Sequence, residues 1–156
     1  MVKELFPIRN RFTGAVQFNA EIECKKDAAL SVKIGLAVKW AINNNARLTD
    51  ADLTNADLTG ARLTDARLTG AKLTRASIID AGQDARGYRF VGVQHDCGLM
   101  IAAGCRWFTL AEALTHWSPQ KYDGPRERQI ECFNKVALIA AVAEARGWTM
   151  EKREAA

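Results

Sequence analysis

The fold is decided by residues 46–81, which read ARLTD ADLTN ADLTG ARLTD ARLTG AKLTR ASIID A. The period is five over seven consecutive units. Alanine takes the first position each time (Ala46, Ala51, Ala56, Ala61, Ala66, Ala71 and Ala76), and Leu48, Leu53, Leu58, Leu63, Leu68, Leu73 and Ile78 take the third. Threonine fills the fourth position in the first six units. Apolar spacings that sum to five fit neither the 3.6-residue period of a helix nor the two-residue period of a strand. On a helix, positions five apart rotate by about 140°, so the leucine column would spiral around the axis. Short straight pieces joined by tight corners fit better.

These units resemble the pentapeptide-repeat family, whose pattern is A-(D/N)-L-x-x. The resemblance implies a short right-handed, four-sided β-solenoid with one pentapeptide per side, so that seven units make about one and three-quarter coils. It also implies that the alanine and leucine positions named above point inward as the solenoid core. Stacking then places Arg47 over Arg67, Asp52 over Lys72 and Asp57 over Ser77. Asp52 and Lys72 make a favourable cross-strand pair. Arg47, Arg62 and Arg67 are candidate anion contacts, set against the plainer reading of a solvated face. Fewer than two coils leave apolar core open at both ends, so the segment needs a cap on each side. Ile79, apolar at an outward position, marks a face on which the C-terminal segment packs.

The expected architecture is therefore mainly β with α+β caps. Residues 1–45 form an N-terminal strand–helix cap, 46–81 the solenoid and 82–156 a C-terminal ββαα cap. Residues 12–24 alternate apolar and polar from Val16 to Cys24, as a half-buried strand does, pairing with residues 5–10. Residues 27–43 carry apolar side chains at helical spacing (Leu30, Ile34, Ala37, Val38, Ile42), with Asp27 placed to cap. Beyond the repeats, 82–87 reads as a loop, 88–95 as a strand and 99–108 as a second strand, joined by a turn at Asp96-Cys97-Gly98. Thr109 and Glu112 form a capping box that opens a short helix through Trp117. A long helix follows from Pro125 to about Arg146, stopped by Gly147. Its inward face is read as Ile130, Phe133, Val136, Ala137, Ala140, Ala141 and Ala145.

The run IAAGCRWFTLAEALTHW is similar to the tail of phage and prophage pentapeptide-repeat proteins, through Gly104, Cys105, Thr109 and Leu110. GLAVKWAI, just before the repeats, is similar to the same group. That resemblance implies a phage-encoded protein acting in the cytoplasm of a bacterial host.

Charge and chemistry narrow the function. The net charge of +4 divides as +3 over residues 1–45, zero over 46–81 and +1 over 82–156. No segment has the basic stripe of a dedicated nucleic-acid binder. No apolar run approaches the ~18 residues of a membrane span, and the N-terminus lacks signal-peptide features. With no export signal, the four cysteines read as reduced thiols. His95, Cys97, Cys105, His116 and Cys132 lack zinc-ligand spacing. Cys105 and Cys132 read as small buried apolar residues. A thiol–histidine nucleophile is chemically feasible at Cys97 or Cys105, against the plainer reading of a hairpin end. No cofactor is implied, and the flat sides of a solenoid offer no reaction pocket.

The candidate partner-binding residues are Arg106, Trp107, Phe108, Trp117, Lys121, Tyr122, Arg126 and Arg128, because arginine and aromatic side chains are enriched at interfaces and stack on bases. The plainer reading makes Trp107 and Trp117 core. The expected function is a non-enzymatic interaction protein that binds a host or defence-system protein, with the caps able to dimerise. One alternative is a nucleotide or nucleic-acid module acting as a sponge in anti-defence. Another is a DNA mimic bound to DNA gyrase, which the family resemblance implies and the short, neutral repeat disfavours.

Overall fold

The computed structural model of the chain describes residues 1–64 and 66–151. It divides into two compact units, 1–77 and 78–156. Among the described residues the regular sheets are antiparallel and open, and three helices accompany them.

In the first unit, β1 (Val2–Arg9) and β2 (Val16–Cys24) pair antiparallel, from Val2 opposite Cys24 to Ile8 opposite Phe18. The turn between them is held by Asn10, whose side chain accepts from the amides of Phe12 and Thr13. Alternation along β2 buries Ala20, Ile22 and Cys24, half-buries Phe18 and leaves Val16 exposed. Phe18 stacks on Trp40 of α1 (Leu30–Asn43), with ring centroids 6.0 Å apart. The helix starts later than its sequence signals indicate. Ala29, not Asp27, occupies the cap position, and no side chain bonds to the helix start. Its buried face is Ile34, Gly35, Ala37, Val38 and Ala41, while Leu30 stays exposed.

The repeat segment is a series of tight corners. In each of six corners an alanine amide donates to the leucine carbonyl three residues earlier, at 2.9–3.1 Å. The residue before that alanine has positive φ at Asp50, Asn55, Gly60, Gly70 and Arg75, as does Asn45 ahead of the first unit. Leucine carbonyl to alanine amide, with a left-handed third residue, is the signature of a type II turn. This explains the frequency of Asn, Asp and Gly at the fifth position, since those residues tolerate that conformation best. Leu48, Leu53, Leu58, Leu63 and Leu68 are buried, as are Ala51, Ala56, Ala61, Ala71 and Ala76; Ala46, Ala66 and Leu73 are half-buried.

Successive stretches of the repeat bond to each other. The amides of Asp50, Leu53 and Asn55 donate to the carbonyls of Thr69, Lys72 and Thr74 at 2.9 Å. Lys72 and Ser77 donate back to Ala51 and Ala56. Asp52 and Lys72 form a parallel bridge, and the Ser77 hydroxyl donates to Asp57 at 3.2 Å. The N-terminal elements join the same network. Asn10 bridges Ala51, Arg11 bonds to the Asp50 carbonyl, and the Asp57 amide donates to Ser31 of α1.

The second unit is a four-stranded meander, β3 (Ile78–Gln83), β4 (Arg89–His95), β5 (Gly98–Ala103) and β6 (Arg106–Thr109), followed by α2 (Leu110–His116) and α3 (Arg126–Ala145). This corrects the ββαα reading in two places. A strand precedes the two expected ones: Ile78, buried as its repeat position implies, opens β3 opposite Val93. The run 99–108 is not one strand, because Gly104 takes φ +59 and turns the chain, so that Ala103 pairs with Arg106. The capping box at Thr109 is present in full. Pro125 is the N-cap of α3, one position before its first turn. The buried face of α3 also differs from expectation. It is Gln129, Cys132, Val136, Ile139 and Ala143, whereas Ile130 is 45% exposed. Cys132, Val136, Ile139 and Ala143 pack with Ile79, Phe90, Leu99, Ile101, Ala113 and Trp117 into one core. Gly92 on β4 lets Ile139 approach, since a side-chain carbon there would overlap it.

Candidate functional site

The second unit opens into a cleft of about 480 Å3. Its floor is apolar: Phe90 on β4, Ala103 at the end of β5, and Trp117, which is 3% exposed and packs on Phe90 at 5.1 Å between ring centroids. Its rim is cationic. Arg86, Arg106, Lys121 and Arg128 line it, with Asp123 the one carboxylate among the lining residues. Tyr88, Tyr122 and His116 complete the wall.

Local chemistry fixes one side of the cleft. Asp84 is buried at the start of the loop from β3 to β4. Its carboxylate accepts from the backbone amides of Arg86 and Tyr88 at 2.9 and 3.1 Å, and from the Arg86 guanidinium at 2.6 and 2.9 Å. Burial alone would raise its pKa. The hydrogen bonds from Arg86 and the two amides outweigh that and hold it below the usual carboxylate value. These bonds fold the loop around the carboxylate and present Arg86 over the Tyr88 ring at 4.9 Å. The ring lies against Gly104, where a side-chain carbon would crowd it.

The opposite side is set by α2 and the start of α3. The buried Gln129 amide donates to the Trp117 carbonyl at 2.6 Å, tying the two helices together. His116 sits edge-on to Trp117 at 4.9 Å. Burial, with a smaller contribution from the Arg106 charge, lowers its pKa and favours the neutral ring. Arg106, Lys121 and Arg128 make no side-chain hydrogen bond or ion pair among the described residues.

Of the eight residues singled out in the sequence, Arg106, Trp117, Lys121, Tyr122 and Arg128 come together at this cleft. Trp107 lies elsewhere, edge-on to His95 at 5.9 Å, and Phe108 packs on Trp117 within the core region. Arg126 borders a smaller recess of about 240 Å3 with Pro119, Tyr122 and Gln129. Arg47, Arg62 and Arg67 are exposed on the first unit, where Arg62 bonds to Thr64. Arg86, Tyr88 and their organiser Asp84 escaped sequence reading, because 82–87 looked like a plain loop. The signal available was an Asp followed at two and four residues by Arg and Tyr around Gly87. A second depression, about 540 Å3 on the first unit, carries Glu4, Glu21 and Glu23 beside Lys3, with Glu4 paired to Lys33 at 2.8 Å.

Other candidate chemistry is dispersed. Cys105 is exposed, contrary to the buried apolar reading, because it sits on the Gly104 turn; Cys97 is also exposed, and Cys24 and Cys132 are buried. His95 Nδ1 accepts from the Cys97 amide of its own turn, at 3.4 Å. Cys105 and His116 both line the cleft, but no hydrogen bond joins them among the described residues. No cluster of three or more His, Cys, Asp or Glu side chains suited to a metal occurs among the described residues. No helix of the described residues is long and apolar enough to cross a membrane.

Residues 44–81 match the family of pentapeptide repeats, with eight copies counted. The match starts two residues before the first unit read from the sequence, at the Asn44-Asn45 step that opens the first left-handed corner. The chain matches no curated protein and no solved structure.

Proposed function

We propose that this chain is a non-enzymatic binding protein whose repeat segment is a scaffold and whose partner is captured at the cationic cleft of the second unit. The scaffold is read as a short right-handed β-solenoid; the type II corners and the bonds between Asp52 and Lys72 and their neighbours support that reading. The observation that carries the binding function is the cleft's charge. Arg86 is paired with Asp84, but Arg106, Lys121 and Arg128 have no internal counter-ion among the described residues, and Asp123 is the one carboxylate that lines the cleft with them. Cations left unpaired on a pre-formed wall favour an anionic partner and steer its approach. A host or defence-system protein presenting an acidic or phosphorylated group fits this reading, with the likeness to phage and prophage tails as its motive. The neutral repeat segment weighs against mimicry of DNA.

The test is calorimetric titration of the full chain with inorganic pyrophosphate and tripolyphosphate at low salt. Binding is expected that weakens as salt rises and is lost in an Arg106→Glu/Arg128→Glu variant with an unchanged thermal midpoint. No heat with either anion at low salt would refute the cleft, and chemical turnover of a captured ligand would refute the non-enzymatic role.

A further inference from the structure

We propose that the outward face of α3 is a self-complementary surface on which a second copy of this chain docks, the two helices lying antiparallel. The proposal is independent of the cleft. The helix buries one side in the core, and Ile130, Asn134, Ala137, Leu138, Ala141 and Ala145 lie exposed on the other. With 3.6 residues per turn, these six fall within a stripe about 100° wide. The stripe itself carries no charge. Ile130 and Leu138 are 45% and 52% exposed on it. Two large aliphatic side chains on one uncharged stripe differ from the scattered single apolar residues of an ordinary surface.

What the stripe presents fits itself. Ile130, Asn134 and Leu138 stand at i, i+4 and i+8, a ridge with Asn134 at its midpoint, and Ala137 and Ala141 leave a shallow groove beside it. A two-fold axis at Asn134 sets Ile130 of each copy against Leu138 of the other. It also brings the two Asn134 amides face to face, and each amide is both donor and acceptor. The Asn134 side chain makes no hydrogen bond of its own among the described residues. One asparagine in an apolar helix seam fixes register and copy number. The charges agree with the antiparallel sense. Arg126 in the first turn and Glu144 in the last are exposed, and neither forms an ion pair among the described residues. About five full turns separate them, so they project from the same flank of the stripe. In an antiparallel pair that flank meets its own counterpart, and Arg126 of each copy comes within reach of Glu144 of the other. A parallel pair would set Arg126 against Arg126. A contact one helix long, about 30 Å, belongs to the small class of interfaces, so the expected dimer is one that dissociates on dilution.

The test is sedimentation velocity of the full chain at low salt, over about a hundredfold range of concentration reaching about 0.2 mM. A dimer is expected that dissociates on dilution. Leu138→Glu should abolish it and leave the thermal midpoint of the dilute monomer unchanged, since that side chain is exposed. Arg126→Glu and Glu144→Arg should each weaken association about tenfold. An equimolar mixture of those two variants should restore it, because each copy then supplies the charge that the other lacks. A chain monomeric at every concentration would overturn the second copy in favour of a foreign occupant. A dimer that survives Leu138→Glu would overturn the α3 face. Single reversals that weaken the dimer without recovery in the mixture, or that leave it unchanged, would overturn the antiparallel arrangement. The paired reversals decide the matter even if Leu138→Glu does not fold.

Discussion

The Cα of Gly35, on the buried face of α1, rests against the backbone carbonyl of Asp57 in the repeat segment, so that any side-chain carbon at position 35 would overlap the carbonyl oxygen. The neighbouring Asp57 amide bonds to Ser31 of the same helix at 2.9 Å. Helix and repeat are thus in backbone contact within the first unit. Because the obstructing atom is backbone, it cannot rotate away. Gly35→Ala should destabilise the first unit by about 2–3 kcal/mol through overpacking, despite alanine's better helix propensity. Chemical denaturation of variant and parent gives the difference; an unchanged midpoint would show that the helix can lift off freely.

The repeat corners make a paired prediction. Gly60 and Arg75 both occupy left-handed positions. Gly60→Ala should cost about 1–2 kcal/mol, since a Cβ is disfavoured there. Arg75 already bears that strain, compensated in part by its bond to Asn55 at 3.0 Å. Arg75→Gly should therefore be neutral or stabilising by up to about 1 kcal/mol. Thermal midpoints of the two variants should move apart, the first downwards.

Asp84 predicts acid sensitivity. Its folded pKa is depressed, so its contribution is present above the unfolded value of about 3.9 and is lost as pH falls through the folded value. Asp84→Asn should lower stability at neutral pH by about 1–3 kcal/mol, because the buried site loses its charge-assisted bonds to Arg86. Below about pH 4 the parent and variant curves should converge. Denaturation midpoints from pH 7 to pH 3 measure this.

His116 predicts a second window with its own sign. Its folded pKa lies below the ordinary 6.5. On acidification the unfolded chain takes up the proton first, so stability should fall as pH drops below about 6.5. His116→Gln should flatten the profile between pH 7.5 and pH 5. An anion in the cleft favours the charged ring, so ligand binding should also raise the His116 pKa, which NMR titration of its ring protons would report.

Thiol reactivity checks the two units separately. Cys97 and Cys105 are exposed, whereas Cys24 is 3% and Cys132 0% exposed. Burial, the largest influence on each, raises the pKa of both inner thiols. An aromatic disulfide reagent should modify two thiols promptly at neutral pH and the other two only on denaturation. Cys105→Ser should remove one fast equivalent, and ligand in the cleft should slow the Cys105 reaction, since that residue lines it.

Local chemistry was legible where the side chain that causes a structure sits beside it in sequence. The Thr109–Glu112 box opens α2 because both partners lie within one turn. The five-residue pattern announces its corners because each is closed within four residues. The face of α3 was not legible. Ile130 and Leu138 are exposed on a helix rich in alanine on every side, so the apolar spacing admits several faces, and the sheet chooses Cys132, Val136 and Ile139. The break at Gly104 was hidden inside an apolar run for a related reason: strand propensity alone does not say where one strand ends and the next begins.

The sequence by itself determined the repeat, its inward Ala and Leu positions, the flanking strand and helix, and an arginine–aromatic cluster near residues 106–128. Local periodicity and turn chemistry suffice for these. Only the tertiary structure decided which of those arginines converge, that Trp107 and Arg126 fall outside the cleft, and that Arg86 and Tyr88 join it. The physical reason is that the cleft is assembled by bonds between distant parts of the chain. Gln129 grips Trp117, and the Gly104 turn approaches Tyr88, where nothing but the absence of a side chain allows the contact.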